Sequence, residues 1–333
     1  MIKLTQQFKP YTLIPGSCIP IPGSKFYARV FPTLWQVFSS KHELVGEGRI
    51  SSSGPLKRFC VFQDLHRGGI SVFSEKYKYY LLPSGRKVSS VRGCLPHADQ
   101  AEPFLSLGVY KHADLHKMRL RRDLKEILPF WWRLAALIPP DSSESFQEIQ
   151  GGIGNLFHVV HQKILQREKT EIHSSLLSLY LAGFSENFLP RIYDTEYQGI
   201  LNDCFDVDTQ SHVPFSLLHA SFCLLRDIFI SHDGEVLDIL PSLPPEFPCG
   251  KLIHLSLEGI GKISLEWRKK TIRKVCLHAQ ENKDLFLRVS SPLVSCRLRQ
   301  WKQKKIIFSS RVSLGEIMEI KAGTTYVWDC FLK

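Results

Sequence analysis

In the stretch Leu237-Asp-Ile-Leu-Pro-Ser-Leu-Pro-Pro-Glu-Phe-Pro-Cys-Gly250, Pro241 and Pro244 end a strand and fix an extended crossing, because proline brings no N–H to a ladder and locks φ. Just beyond it, Ile263, Leu265 and Trp267 alternate with polar neighbours, the two-residue period of a half-buried strand. Upstream, residues 214–230 read as a helix: Pro214 suits the first turn, and Leu217, Leu218, Phe222, Leu225 and Phe229 recur at helical spacing. Downstream, strand-like runs continue through Leu285–Val289 and Ile306–Phe308 to Thr324–Phe331.

The same texture opens the chain. Between residues 10 and 95, Pro-Gly, Gly-Gly and Ser-Gly turns separate short β-rich runs such as Lys25–Val30, Arg58–Phe62 and Tyr77–Leu82, the pattern of an antiparallel sandwich. It changes near Glu102. From His112 to about Ala136, apolar residues at three- and four-residue steps predict a basic amphipathic helix that Pro129 kinks or splits. Further helices are expected at about 144–168 and 172–184. The predicted class is α+β: an N-terminal antiparallel β-sandwich over 1–100, a reduced helical middle over 101–232, and a C-terminal antiparallel β-sandwich over 233–333.

With 44% apolar, 23% charged and 11% aromatic residues, the 333-residue chain has the composition of a folded globular protein. Its nine cysteines are odd in number and spread out, with no C-x-x-C pair. That is the usage of reduced thiols in a cytoplasmic protein, and it argues against a disulfide framework or a zinc site. The first twenty residues lack the unbroken apolar run of a signal peptide. The net charge of +11 is uneven: 14 basic against 5 acidic residues in 1–100, 12 against 18 in 101–235, and 17 against 9 in 236–333. An acidic centre between basic flanks suits a central cleft for a neutral or cationic ligand, or electrostatic packing of flanks on centre. It disfavours nucleic acid and membrane as partners, since a nucleic-acid protein gathers its positive charge on one face.

The 237–250 stretch, the helix before it and the Leu265-Glu-Trp267 strand after it resemble the start of the C-terminal β-sandwich in glycoside hydrolases and phosphorylases built on an (α/α)6 barrel, families 65, 94 and 95 above all. The resemblance covers residues 214–290. Phe247 stands where that clan has tryptophan, and Glu258-Gly-Ile-Gly261 and Arg268-Lys-Lys270 replace its usual turns. Twelve barrel helices need roughly 250 residues, more than 101–232 supplies. The resemblance therefore implies a glycoside hydrolase-like protein, catalytically reduced or inactive, that binds a saccharide or serves as a subunit. The alternatives are a non-enzymatic interaction or scaffold protein that meets a protein partner through its helical face, and a basic binder of membrane surfaces or nucleic acid.

Glycoside cleavage requires two carboxylates flanking the bond. The acidic run after Arg191 offers Glu196 and Asp203 as the pair, with Arg191, Tyr193, Tyr197 and Gln198 placed to hold sugar hydroxyls; the other reading is a solvated acidic loop. No metal ligand set and no cofactor is expected: His112 with His116 lacks a third ligand, and Gly151-Gly-Ile-Gly154 reads as a helix break. Lys302, Lys304 and Lys305 beside Trp301, preceded by Arg297 and Arg299, form either a phosphate contact or a solvated hairpin tip.

Overall fold

The computed structural model describes residues 2–52, 54–90, 103–139, 152–192, 213–290, 292–303 and 305–333. Nine short strands come first: β1 (Tyr11–Thr12), β2 (Cys18–Pro20), β3 (Tyr27–Val30), β4 (Leu34–Phe38), β5 (Leu44–Arg49), β6 (Cys60–Gln63), β7 (Ile70–Phe73), β8 (Lys78–Leu81) and β9 (Lys87–Val88). They form two antiparallel sheets, β1-β6-β7-β8-β9 and β2-β3-β4-β5. Alternate residues of each sheet meet in a shared core: Ile19, Ala28, Val30 and Val37 from one, Val61, Ile70, Val72 and Leu81 from the other. The two-residue period legible in the sequence is what makes this sandwich.

Next comes β10 (Phe104–Ser106), followed by α1 (Leu115–Arg121), α2 (Leu124–Leu137), α3 (Ile153–Leu165), α4 (Lys169–Gly183) and α5 (Ser216–Phe229). The helix expected from His112 onward is divided, but not at Pro129. Arg122 turns left-handed at φ 52°, and Asp123 caps a new helix by accepting from the Lys125 N–H at 3.0 Å. Pro129 lies inside α2.

The last ten strands are β11 (Ile230–Asp233), β12 (Val236–Ile239), β13 (Cys249–Leu257), β14 (Gly261–Arg268), β15 (Thr271–Ala279), β16 (Lys283–Val289), β17 (Ser295–Lys302), β18 (Lys305–Ser313), β19 (Ile317–Ile320) and β20 (Thr325–Leu332). Seven strands form one sheet, in the order β10-β13-β14-β15-β20-β17-β18, and β11-β12-β16-β19 form the other. Among the described strands, β12 pairs with β16 in parallel and the other strand pairs are antiparallel. The protein is thus α+β, with antiparallel sheets at both ends and five helices between them among the described residues.

This overturns the glycoside hydrolase resemblance. Twenty strands against five described helices make the molecule mostly sheet, and an (α/α)6 barrel is not what the middle of the chain builds. The 237–250 stretch has a different job: it docks helices on the sandwich. Asp238, buried in β12, receives Arg167 Nη2 at 2.6 Å from the α3–α4 corner. Ser242 donates its hydroxyl to Ile164 O at 2.7 Å, satisfying a carbonyl in the last turn of α3. Phe247 O accepts the Trp267 indole N–H at 3.0 Å. Gly250 lies opposite Trp267 in the β13–β14 ladder, and a Cβ there would come within 2.2 Å of the indole ring and 2.8 Å of Ser106 O. Such a motif marks local packing, and local packing is shared by unrelated folds.

A second core, separate from the interior of the N-terminal sandwich, joins α2 to the other helices and the C-terminal sheets and reaches Phe8, Tyr27 and Leu65. Trp131, Trp132 and Arg133 are each at most 1% exposed. Trp131 packs on Phe184 at 4.8 Å, and Trp132 on Phe222 at 5.0 Å, tying α2 to the end of α4 and to α5. Arg133 donates its Nε to Leu65 O at 2.9 Å and lies over the Phe104 ring at 4.1 Å, bridging the loop after β6 to β10. At the same joint, His66 Nε2 accepts the Phe8 backbone N–H at 3.0 Å, which fixes the imidazole as neutral with its proton on Nδ1. No helix among the described residues is long and apolar enough to cross a membrane.

Two measurements check this packing. Gly250→Ala should lower stability by about 1–3 kcal/mol, since the ring and the carbonyl must both shift, and thermal unfolding would show it. Burial lowers the His66 pKa below its ordinary value, with Arg133, Lys9 and Arg67 assisting against Asp64. The unfolded chain then binds the extra proton first, so the contribution of His66 is complete above about pH 6.5 and falls away as pH drops below it. His66→Gln should therefore lose less stability than wild type between pH 7.5 and 5.5 in urea unfolding.

Candidate binding cleft

Of the residues singled out for sugar chemistry, Glu196, Asp203, Tyr193, Tyr197 and Gln198 lie outside the described residues. Arg191 is described: its Nε donates to Ala182 O at 2.8 Å and its Nη2 to Leu181 O at 2.9 Å. Arg119 approaches the same end of α4, donating to Phe184 O at 2.7 Å and Leu181 O at 3.0 Å. Two guanidinium groups thus satisfy carbonyls at the negative end of the α4 dipole. His116, from the histidine pair on α1, shares a 2.8 Å hydrogen bond with Glu186.

The pleat that fills the C-terminal core also builds a cleft on the opposite face of the seven-stranded sheet. Ile263 and Leu265 of β14, Val275 and Leu277 of β15, Leu298 of β17, and Tyr326 and Trp328 of β20 point inward and are at most 2% exposed. Their alternates therefore point outward. Lys262 and Ser264, Lys274, Cys276 and His278, Thr325 and Val327, and Arg299 and Trp301 line a concavity of about 700 Å³. Gln303, Gly323 and Ile2 also line it.

His254 reaches this cleft through a defect in the ladder. The β13–β14 register shifts between Leu252 and Leu255, and His254 there has φ 57°. A left-handed histidine is an uncommon conformation, and bulges of this kind re-aim a side chain. Ser264, itself in the lining, accepts the His254 backbone N–H at 3.1 Å and holds the bulge. Across the cleft, His278 Nδ1 and the Thr325 hydroxyl are 3.1 Å apart.

The charge is one-sided. Lys262, Lys274 and Arg299 contribute cations, and no carboxylate is among the lining residues described. Asp329 sits behind Arg299 as its counter-ion and also accepts Arg297 Nε at 2.8 Å. Burial alone would raise the Asp329 pKa, but hydrogen bonds from Arg297 and the charges of both arginines hold its carboxyl below the usual range. Burial pushes the Cys276 thiol up, and the nearby Lys274 only partly opposes it, so at neutral pH the sulfur stays protonated and weakly nucleophilic. Further along β14 and β15, Arg268, Lys269 and Arg273 surround Glu266 in a shallower recess.

The sequence offers Lys302, Lys304 and Lys305 beside Trp301, with Arg297 and Arg299 before them, as a phosphate contact or a solvated hairpin tip; of these, Arg299 and Trp301 stand in the cleft wall, and Lys304 lies outside the described residues. Lys262, Lys274, His254 and His278 are not legible as a group, because each looks alone like an ordinary outward residue of a strand. What unites them is sheet order, which brings β17 beside β20 and β20 beside β15. No model of a known protein family matches this chain, and no curated protein matches it by sequence.

If the Ser264 hydroxyl holds the bulge, Ser264→Ala should leave the sheet intact and release His254. Amide hydrogen exchange at His254 should then rise about tenfold, the factor for loss of a bond near 1.4 kcal/mol, with little change at Val275 or Leu277.

Proposed function

We propose that this chain is a non-catalytic binding protein whose seven-stranded sheet holds a small polyanionic ligand in the cleft between Lys262, Lys274, Arg299 and Trp301. The observation that carries this reading is the convergence of three cations, two imidazoles and an indole on one concavity without a lining carboxylate. With Asp329 behind Arg299 rather than in the lining, the wall presents positive potential toward the space, which favours an anion there. The volume falls within the range of small-ligand sites. Trp301 supplies a flat surface for the planar part of such a ligand, and the hydroxyls of Ser264 and Thr325 supply neutral hydrogen bonds. Phosphorylated compounds carrying a ring fit this chemistry better than neutral sugars do.

The chemistry of the lining supports binding without turnover. Its thiol is protonated, and acid–base hydrolysis of the glycosidase type needs paired carboxylates, which this lining lacks. The helices support a protein partner less well: among their described residues the large apolar side chains exposed are Leu120, Val159 and Leu165. A cytoplasmic setting accords with the seven described cysteines, all free thiols.

Isothermal titration with inorganic pyrophosphate, adenosine diphosphate and a neutral disaccharide tests the proposal. Binding is expected for the diphosphates, weakening as salt rises. Lys274→Glu should weaken it at least tenfold, a loss of about 1.4 kcal/mol or more. Affinity for the disaccharide alone, or diphosphate affinity unchanged in Lys274→Glu, would overturn the reading.

A further inference from the structure

One edge of the seven-stranded sheet is β18. Among the described residues it pairs only with β17, and every residue of it is exposed except the half-buried Val312. Ile306, Ile307 and Phe308 in succession are 49%, 56% and 42% exposed. A nine-residue edge with three adjacent large apolar side chains and no proline is a template for another strand.

The backbone and the charges say which strand. Leu314 donates its N–H to Val294 O at 2.9 Å, across the end of the β17–β18 ladder. Backbone groups alternate sides along a strand, so those of Val312 and Ser310 also face β17, while those of Ser313, Arg311 and Ser309 face the open edge. A second β18 running antiparallel around a two-fold axis must centre on one of these outward residues. Centring on Arg311 would set one guanidinium against another, and centring on Ser313 would pair only the strand ends. Ile307 falls in the register shift opposite Gln300 and Trp301. Ser309 is left.

With the axis at Ser309, Phe308 of one copy lies opposite Ser310 of the other on the same face of the sheet. Arg311 falls opposite Ile307, and Lys305 near Ser313, so no like charges oppose. The basic turn carrying Lys302 and Lys305 then meets the turn holding Glu316 of the second copy, and the reverse contact forms at the other end. Self-complementarity of this kind is the requirement for an isologous interface. We propose that the partner of β18 is a second copy of this chain, joined edge to edge into one continuous sheet. A two-fold perpendicular to the sheet keeps equivalent faces on one side, so both clefts open in the same direction, with the two Trp301 walls nearest the axis.

The 333-residue chain should sediment as a dimer at micromolar concentration. Ser309→Pro removes an N–H that β17 does not use, so this variant should keep its far-ultraviolet spectrum and sediment as a monomer. In a Cys330→Ser background, Ser309→Cys should form a dimer-sized disulfide product under mild oxidation, because directly opposed hydrogen-bonded residues have Cα atoms about 5.5 Å apart, within disulfide reach. Ser313→Cys, also outward but off the axis, should not. A wild-type monomer at about 100 μM, a dimer that survives Ser309→Pro, or equal cross-linking at 309 and 313 would each overturn the proposal; cross-linking decides it even if the proline variant fails to fold.

Discussion

The burial of α2 is the constraint on which the rest of the structure depends. A helix with Trp131, Trp132 and Arg133 all out of contact with water has to be surrounded, and every neighbour it acquires is drawn from a different part of the chain. Arg133 makes the arrangement specific. An arginine in an apolar interior is tolerable only with partners in place, and the Leu65 carbonyl comes from the β6–β7 loop of the N-terminal sandwich and the Phe104 ring from β10. Glu126 does similar work at the start of the helix: burial would raise its pKa, but hydrogen bonds and charge from Lys111 and Arg121 keep it low and ionised. Apolar burial supplies the driving force, and the two ions define where the neighbours sit.

Much of this is legible in the sequence. Strand alternation, turn glycines and the three-and-four spacing of the helices gave the β, α, β order, because each signal is local and follows from backbone geometry. The break at Arg122–Asp123 escaped notice. A proline is a conspicuous stop, whereas an aspartate cap after a left-handed arginine looks like any charged pair on a helix surface. The resemblance drawn from 237–250 failed for a related reason. Pro241, Phe247 and Gly250 report that a strand ends, crosses and packs under a tryptophan, and that need arises wherever helices dock on a sandwich.

The cleft was the least legible feature. Most of its residues lie on β13, β14, β15, β20 and β17, so their neighbourhood depends on a sheet order that no short window of sequence contains. Lys274 was one lysine among many until β20 placed Thr325 and Val327 beside its strand. The inward half of the same pleat could be read as a core from sequence. The outward half has the composition of solvated surface, and only curvature and convergence distinguish it.

The edge strand β10 has a consequence for how the molecule comes into being. Leu105 precedes all five helices, yet it lies opposite Leu252, which follows them. A chain emerging from the ribosome can assemble its first sandwich early, but β10 must wait, unpaired, until the whole helical segment and β13 have been made. Closing so long a loop is slow and entropically costly. Until it closes, the edge of β10 that pairs with β13 stays open. The interval between the synthesis of β10 and that of β13 is therefore when this protein is most exposed to misassembly, and when a chaperone would have most to hold.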